Sequence, residues 1–327
     1  MNMEEQLFQS RVDLSGLQQA VTNIKQEMAK FIIGQDEMVE LLITAILSDG
    51  HVLIEGVPGV AKTLTAKLLA KTMSVNFSRI QFTPDLMPSD IIGTNVFNLK
   101  TSEFEFKRGP LFSNVVLIDE INRAPAKTQS ALFEAMEERQ ITVDGNTYPL
   151  AAPFIVLATQ NPVEQEGTYR LPEAQLDRFL FKIQVNYPSL ENETKIIADF
   201  HQKKNIINIH TIQSVLNASD IAEYRKKVFA LHIDSNLISY IAQIVNQTRN
   251  NSALFLGASP RASLAILTGA KAHSAIYGRD FVTPDDIKYI ALPVLKHRII
   301  LTPEKEMEGI GTDDIIKQII EKVEIPR

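Results

Sequence analysis

Apolar residues first recur at helical spacing. Leu14, Leu17, Val21, Ile24, Met28 and Phe31 alternate steps of three and four, which puts them on one face of an amphipathic helix. A second helix is predicted over Asp36–Leu47. The pattern then changes. His51-Val52-Leu53-Ile54 is a short apolar run, a turn rich in glycine and proline follows, and helical spacing resumes over Ala61–Lys71. Strand, glycine turn and helix in that order open an α/β unit. Phe77–Phe82, Val115–Ile118 and Phe154–Ala158 read as further strands, and Lys182–Val185 as a weaker fifth. Helical stretches, notably Lys127–Glu138 and Pro172–Asp177, separate most of them. Apolar strands joined by helical crossovers predict an α/β fold with a five-stranded parallel sheet covered on both faces.

Past Pro188 the strand pattern stops. Helices are predicted over Glu191–Gln202, Ile221–Phe229, Asn236–Thr248, Pro260–Tyr277, Pro284–Leu295 and Asp313–Val323. Thr283 before Pro284 has the form of a helix cap with proline in the first turn. The change of pattern divides the chain into an α/β part, residues 1–188, and a smaller helical part, residues 189–327. Two stretches interrupt the α/β alternation. Between Phe82 and Val115 the residues Val96, Phe97, Phe104 and Phe106 suggest a hairpin or helix–hairpin insert, and Met87 reads as core or loop packing. Between Glu138 and Phe154, Ile141-Thr142-Val143 alternates and then turns at Asp144-Gly145, a hairpin signal.

Composition narrows the function class. The length of 327 residues suggests about two domains. With 45% apolar and 22% charged residues, the chain can bury a sizeable core, which excludes disorder as its main state. A net charge of −6 argues against a general nucleic-acid coat or a polybasic membrane binder. The absence of cysteine removes disulfides, thiolate metal sites and thiol catalysis, and makes a cytoplasmic location the simpler expectation. The six histidines are scattered without metal-ligand spacing. No apolar run approaches the roughly 18 residues that span a bilayer, so membrane insertion is not expected. The opening MNMEEQLFQS lacks the apolar region of a signal peptide.

The first strand and its helix flank Gly56-Val57-Pro58-Gly59-Val60-Ala61-Lys62-Thr63. This is the phosphate-loop pattern G-x-x-x-x-G-K-[ST] with Ala61 in place of the second glycine. Backbone N–H groups at a helix N-terminus bind phosphate, Lys62 reaches the β and γ oxygens, and Thr63 offers a hydroxyl to magnesium. Alanine suits such a turn if its φ stays negative. Read without its context, the string is a glycine–proline turn with a surface lysine. Val115-Val116-Leu117-Ile118-Asp119-Glu120 ends an apolar strand in two acids, at the sheet edge where doubly wound folds bind ligands. Asp119 would hold magnesium and Glu120 would polarise the attacking water. Alone, two acids after a strand are more often a solvated cap. Asn161, in Thr159-Gln160-Asn161-Pro162, follows a strand that can lie between the other two, where its amide would orient water or contact phosphate. Asn-Pro is equally a turn signal.

Two arginines stand at helix ends. Arg178 closes the short helix after Pro172, where completing the helix dipole or pairing with Asp177 is the plain reading. Arg261, in Ala258-Ser259-Pro260-Arg261, stands at a helix start. The macrodipole disfavours a cation there, and an external anion would offset that.

Together these elements resemble the AAA+ ATPases, and specifically the MoxR family, over nearly the whole chain. The most specific stretches are Phe31-Ile32-Ile33-Gly34-Gln35, Gly56–Thr63, Gln81-Phe82-Thr83-Pro84-Asp85-Leu86, the run from Asp119 to Pro125, Glu134-Ala135-Met136-Glu137-Glu138 and Leu171–Phe179. The resemblance implies a P-loop core followed by a helical lid. It makes Ile33 and Gly34 adenine-side contacts and the loop from Gly56 through Leu64 the nucleotide cradle. Lys62 and Thr63 match Walker A, Asp119 and Glu120 match Walker B, and Asn161 matches sensor 1. Arg178 matches the arginine finger that serves a neighbouring subunit, with Arg170 a weaker match, and Arg261 matches sensor 2. Gln81 is placed as the polar residue that restrains Glu120. The interruptions match the helix-2 insert and the pre-sensor-1 hairpin.

The implied activity is Mg²⁺-dependent ATP hydrolysis, with ATP and ADP as ligands, by a homo-oligomeric ring, a hexamer, that remodels a protein client. A von Willebrand factor A-domain partner is frequent in the family and would here be a separate chain. A nucleic-acid motor or loader is one rival. The hairpin tip Val143-Asp144-Gly145-Asn146-Thr147 carries no lysine or arginine, which counts against phosphate tracking. The motor subunit of a metal-inserting chelatase is another rival, and a nucleotide-switched scaffold is a third, disfavoured by the presence of Glu120.

Overall fold

A computed structural model describes residues 12–161, 169, 171–202 and 209–326. They form two compact units. One runs from Asn23 to Ala222. The other combines the described residues before Asn23 with those from Glu223 onward.

The first unit is built on a parallel sheet of five strands: β1 (His51–Gly56), β2 (Phe77–Gln81), β3 (Val115–Asp119), β4 (Ile155–Gln160) and β5 (Phe179–Val185). Their spatial order is β2-β3-β4-β1-β5, so β4 lies between the two motif strands as its sequence position allowed. Val115 to Ile118 and Ile155 to Ala158 are buried throughout. No outward polar face interrupts them, as expected for strands with helices on both sides. The helices Asp36–Leu47, Lys62–Thr72 and Ala126–Glu138 supply that cover. Leu132, Phe133 and Met136 of the last join Val116, Ile118 and Val156 in one core. His51 is buried and neutral in its bonding: Nδ1 accepts the Val156 N–H at 2.9 Å, and Nε2 faces the Met136 carbonyl at 3.2 Å.

Register decides where the chemistry lies. Gln81 pairs with Asp119, Ile118 with Ala158, and Ile54 with Thr159. The carboxyl ends of β1, β2, β3 and β4 therefore finish level, and the loops that follow them open onto one edge of the sheet.

Both interruptions are hairpins. The first is a short helix, Pro88–Ile92, followed by the ladder Gly93–Asn98 against Glu103–Arg108. Gly93 has φ +102°, and a Cβ there would collide with the Lys107 carbonyl. Met87 is 60% exposed at the N-cap of this helix, so of its two expected places the loop is found and the core is not. The second hairpin pairs Gln140–Val143 with Asn146–Pro149. Asp144 and Gly145 both have positive φ, as a two-residue type I′ turn requires. Phe106 of the first hairpin stacks on Tyr148 of the second, ring centroids 4.3 Å apart, and Asn95 donates to Asp144 at 2.5 Å.

Residues beyond Pro188 do not all leave this unit. The helix Leu190–Gln202 has no buried residue of its own. The stretch after it returns to the core: the N–H groups of Val215 and Leu216 donate to the Thr72 carbonyl, and Lys71 donates to the Ile209 carbonyl. Contact thus divides the chain later than the change of element type at 188/189.

The second unit contains the helices Ser235–Arg249, Pro260–Ile276, Pro284–Leu295, Pro303–Met307 and Thr312–Lys322. It is not purely helical, as the sequence pattern suggested. Leu254–Leu256 and Ile300–Leu301 form a small antiparallel ladder, too short to show as alternation. Thr283 caps its helix in a capping box with Asp286. Asp286 is 1% exposed, and Arg279 donates to both its oxygens at 2.6 Å while His273 Nδ1 stands 2.6 Å from one of them. Burial alone would raise the Asp286 pKa. The bonds from His273, Arg279 and Thr283 outweigh that and hold the carboxyl well below the usual carboxylate range. Among the described residues, no helix is long and apolar enough to cross a membrane.

Candidate functional site

The loop after β1 leads into the helix Lys62–Thr72 through two left-handed residues, Gly59 at φ +86° and Ala61 at φ +60°. The condition that alanine keep a negative φ in this turn is therefore not met. Ala61 is the N-cap of the helix. Its carbonyl accepts both the N–H and the hydroxyl of Thr65, at 2.9 and 3.0 Å, which holds the turn in place. A Cβ in this region costs roughly 1–2 kcal/mol. Lys62 folds back, its Nζ donating to the Gly56 carbonyl at 2.5 Å. Burial lowers the Lys62 pKa, and Asp119, Glu120 and Glu55 partly oppose that.

At the end of β3, Asp119 is buried. Its Oδ2 accepts from Arg79 Nε at 2.6 Å and its Oδ1 accepts from the Thr159 hydroxyl at 3.2 Å. Glu120 has φ +57° and ψ +53°, a left-handed conformation that turns its side chain out of the strand alternation. Strain of this kind clusters at functional sites. The Glu120 N–H donates to Thr159 Oγ1 at 3.1 Å. Its carboxylate accepts from Gln81 Nε2 at 2.9 Å and pairs with Arg123 at 3.2 Å.

These groups enclose a cavity of about 410 Å³. The loop contributes Pro58, Gly59, Ala61, Lys62, Thr63 and Leu64; β2 contributes Arg79 and Gln81; the remaining walls are Asp119, Glu120, Thr159 and Asn161. Gly56, Val57 and Val60 shape the loop without lining the cavity. Ile33 and Gly34 are not on its lining either; Gly34 has φ +75° and packs against the Asn192 side chain. Arg178 lies elsewhere, with Nε 3.5 Å from Glu137 Oε2 and its guanidinium 5.9 Å from the centre of the Phe133 ring. Glu137, not Asp177, is thus a partner the sequence did not reveal. Arg261 belongs to the other unit, where its N–H donates to the Ser259 hydroxyl that caps the helix. Arg170 lies outside the described residues.

Two lining residues escaped the sequence reading. Thr159 is the residue where the Thr-Gln-Asn-Pro string begins, and its hydroxyl donates to the Asp119 carboxylate while accepting the Glu120 backbone N–H. Arg79 precedes Gln81 by two, so strand alternation puts both on one face. That spacing was the available signal.

A cavity with a backbone cradle, a lysine, a threonine hydroxyl and two strand-end carboxylates fits a polyphosphate with a divalent cation. Among the described residues no group of three or more His, Cys, Asp or Glu could form a metal cage. Magnesium takes one or two carboxylates together with substrate phosphates and needs no such cage. Thr63 and Asp119 are the fitting donors.

Comparison with known proteins finds relatives over most of the chain. Residues 51–181 match the family described as "ATPase family associated with various cellular activities (AAA)", and residues 246–319 match an AAA lid domain. Chaperone MoxR1 of Mycobacterium tuberculosis is 43% identical over 310 residues, covering 92% of this chain and 81% of that protein. YeaC of Bacillus subtilis is 46% identical over 92% of this chain and 93% of its own length. A crystal structure of a Cytophaga hutchinsonii protein superposes with a TM-score of 0.89 at 44% identity, covering 100% of both chains.

Proposed function

The chain belongs to the MoxR family of AAA+ ATPases, and on that premise we propose that it hydrolyses Mg²⁺-ATP and uses the energy to remodel a protein client. The observation that carries the reading is the position of Glu120. Its carboxylate faces the same cavity as Lys62 and Asp119, held by a hydrogen bond from Gln81.

In this reading the loop from Gly56 through Leu64 binds the phosphates through backbone N–H groups, and Lys62 places a positive charge on the β and γ oxygens. Thr63 and Asp119 hold Mg²⁺, which when bound neutralises charge developing on the phosphoryl oxygens. Glu120 polarises the attacking water, and Asn161 orients that water or contacts the γ-phosphate. Ile33 and Gly34 take the adenine side. Arg178 serves a neighbouring subunit's nucleotide, and Arg261 contacts the phosphates from the lid. The functional division is a nucleotide-binding core, residues 1–188, and a lid, residues 189–327. The working assembly is a cytoplasmic homo-hexameric ring, its client a protein presented with or without a separate von Willebrand factor A-domain chain.

The test is Glu120→Gln. It should bind Mg²⁺-ATP as the parent does and turn over at least about tenfold more slowly. As a trap it should also retain client in a pull-down with ATP. Hydrolysis at the parental rate would assign the water to another group.

A further inference from the structure

We infer that Arg79 is a resident counter-cation for Asp119, occupying the metal-side carboxylate until Mg²⁺-nucleotide displaces it. This rests on the nucleotide-binding reading above. The Asp119 side chain is 11% exposed; besides Arg79 it accepts from the neutral Thr159 hydroxyl, and Lys62 lies within electrostatic reach without a hydrogen bond to it among the described residues. A buried carboxylate without a compensating charge is costly. Arg79 supplies that charge through its Nε at 2.6 Å.

The same guanidinium is built to leave. β2 is the edge strand of the sheet, and the Arg79 side chain is 53% exposed. Once released, it moves into water and no second charge is buried. Asp119 is also the donor that fits magnesium, so the two cations compete for one carboxylate. With Gln81 on the same strand face holding Glu120, β2 grips both acids: Arg79 takes the metal-side one and Gln81 the water-side one. Arg79 is on this account a positioning residue that sets how strongly nucleotide affinity depends on the metal.

The experiment is a titration of fluorescent N-methylanthraniloyl-ADP into the full chain, in Mg²⁺ and in EDTA, for the parent, Arg79→Met and Arg79→Lys. Losing a half-exposed pair should tighten Mg²⁺-dependent binding of Arg79→Met about two- to fivefold, the size of a modest ion pair. Metal-free binding should not tighten, because without Arg79 the Asp119 carboxylate meets the phosphates with its charge uncompensated. The ratio of the two dissociation constants therefore rises, and Arg79→Lys falls between. A parallel thermal melt shows that the variants are folded, and the melting-point gain on adding Mg²⁺-ADP should be larger for Arg79→Met. An unchanged ratio in folded variants means a structural staple and overturns the inference while leaving the ATPase reading intact. Weaker Mg²⁺-dependent binding by Arg79→Met means Arg79 holds phosphate and also overturns it. Failure of the parent to bind in either buffer overturns both.

Discussion

The Gln81 amide nitrogen stands 2.9 Å from the Glu120 carboxylate, across the paired ends of two neighbouring strands. A carboxylate that accepts this bond is restrained by β2 at the wall of the cavity. Gln81→Leu removes the donor at similar size. Basal ATP turnover should rise several-fold, and stimulation by client should shrink by a similar factor. Steady-state hydrolysis with and without client measures both. A fall in basal rate would mean that Gln81 positions Glu120 productively.

Ala61 adopts φ +60° at a position where glycine carries no Cβ penalty. Ala61→Gly should relieve about 1–2 kcal/mol of backbone strain and lose about 0.4–1 kcal/mol through the unfolded chain. The net expectation is a change between about zero and a gain of about 1.6 kcal/mol, read in a denaturant titration. Destabilisation would show that the alanine methyl makes compensating contacts in the loop.

Arg178 pairs with Glu137 and does not line the cavity of its own chain. If it acts across a subunit boundary, activity per subunit rises with protein concentration. Arg178→Ala should bind ATP and be nearly inactive, since fingers supplied in trans contribute about 10³–10⁵ in rate. Lys62→Ala should stay folded and lose tight ATP binding. Mixing the two variants should restore some activity, because the Lys62→Ala subunit lends its arginine to a neighbour with an intact loop. Concentration-independent hydrolysis by a monomer would exclude the trans arrangement.

Asp286 holds Arg279, His273 and Thr283 together in the second unit. Asp286→Asn should cost about 2–4 kcal/mol, less than a fully buried ion pair because Arg279 is partly exposed. The sign with pH follows from the depressed carboxyl. Its contribution is complete above the unfolded value near 4 and is lost as pH falls toward the lower folded value. Acid titration of melting temperature should therefore be flatter below about pH 4 for the variant than for the parent. Equal slopes would assign the acid sensitivity to other carboxylates.

Most of the fold was legible because its signals are local and periodic. The inner strands β3 and β4 are runs of buried, mostly branched residues, Thr283-Pro284 caps its helix, and one hairpin turns at Asp-Gly. Asp119 and Glu120 were visible because a strand ends there. What stayed hidden depends on pairing between distant segments. The grip of Arg79 on Asp119 follows from a register linking residues that lie 40 apart. Thr159 looked like part of a turn until β4 was seen to lie beside β3. The positive φ of Ala61 is set by the geometry of the whole loop, which the residue's identity does not reveal. Val215 and Leu216 lie past the change of pattern at Pro188, yet their backbone N–H groups donate to the Thr72 carbonyl, a bond that no local pattern shows.

The stack of Phe106 on Tyr148 has a practical corollary for anyone building chimeras from this chain. Two excursions far apart in sequence share one aromatic joint, so neither is a self-contained cassette. Grafting the first hairpin alone onto a related ATPase leaves a phenylalanine facing solvent, and grafting the second alone strands a tyrosine. Client preference, if it resides in these tips, has to be transplanted as a pair.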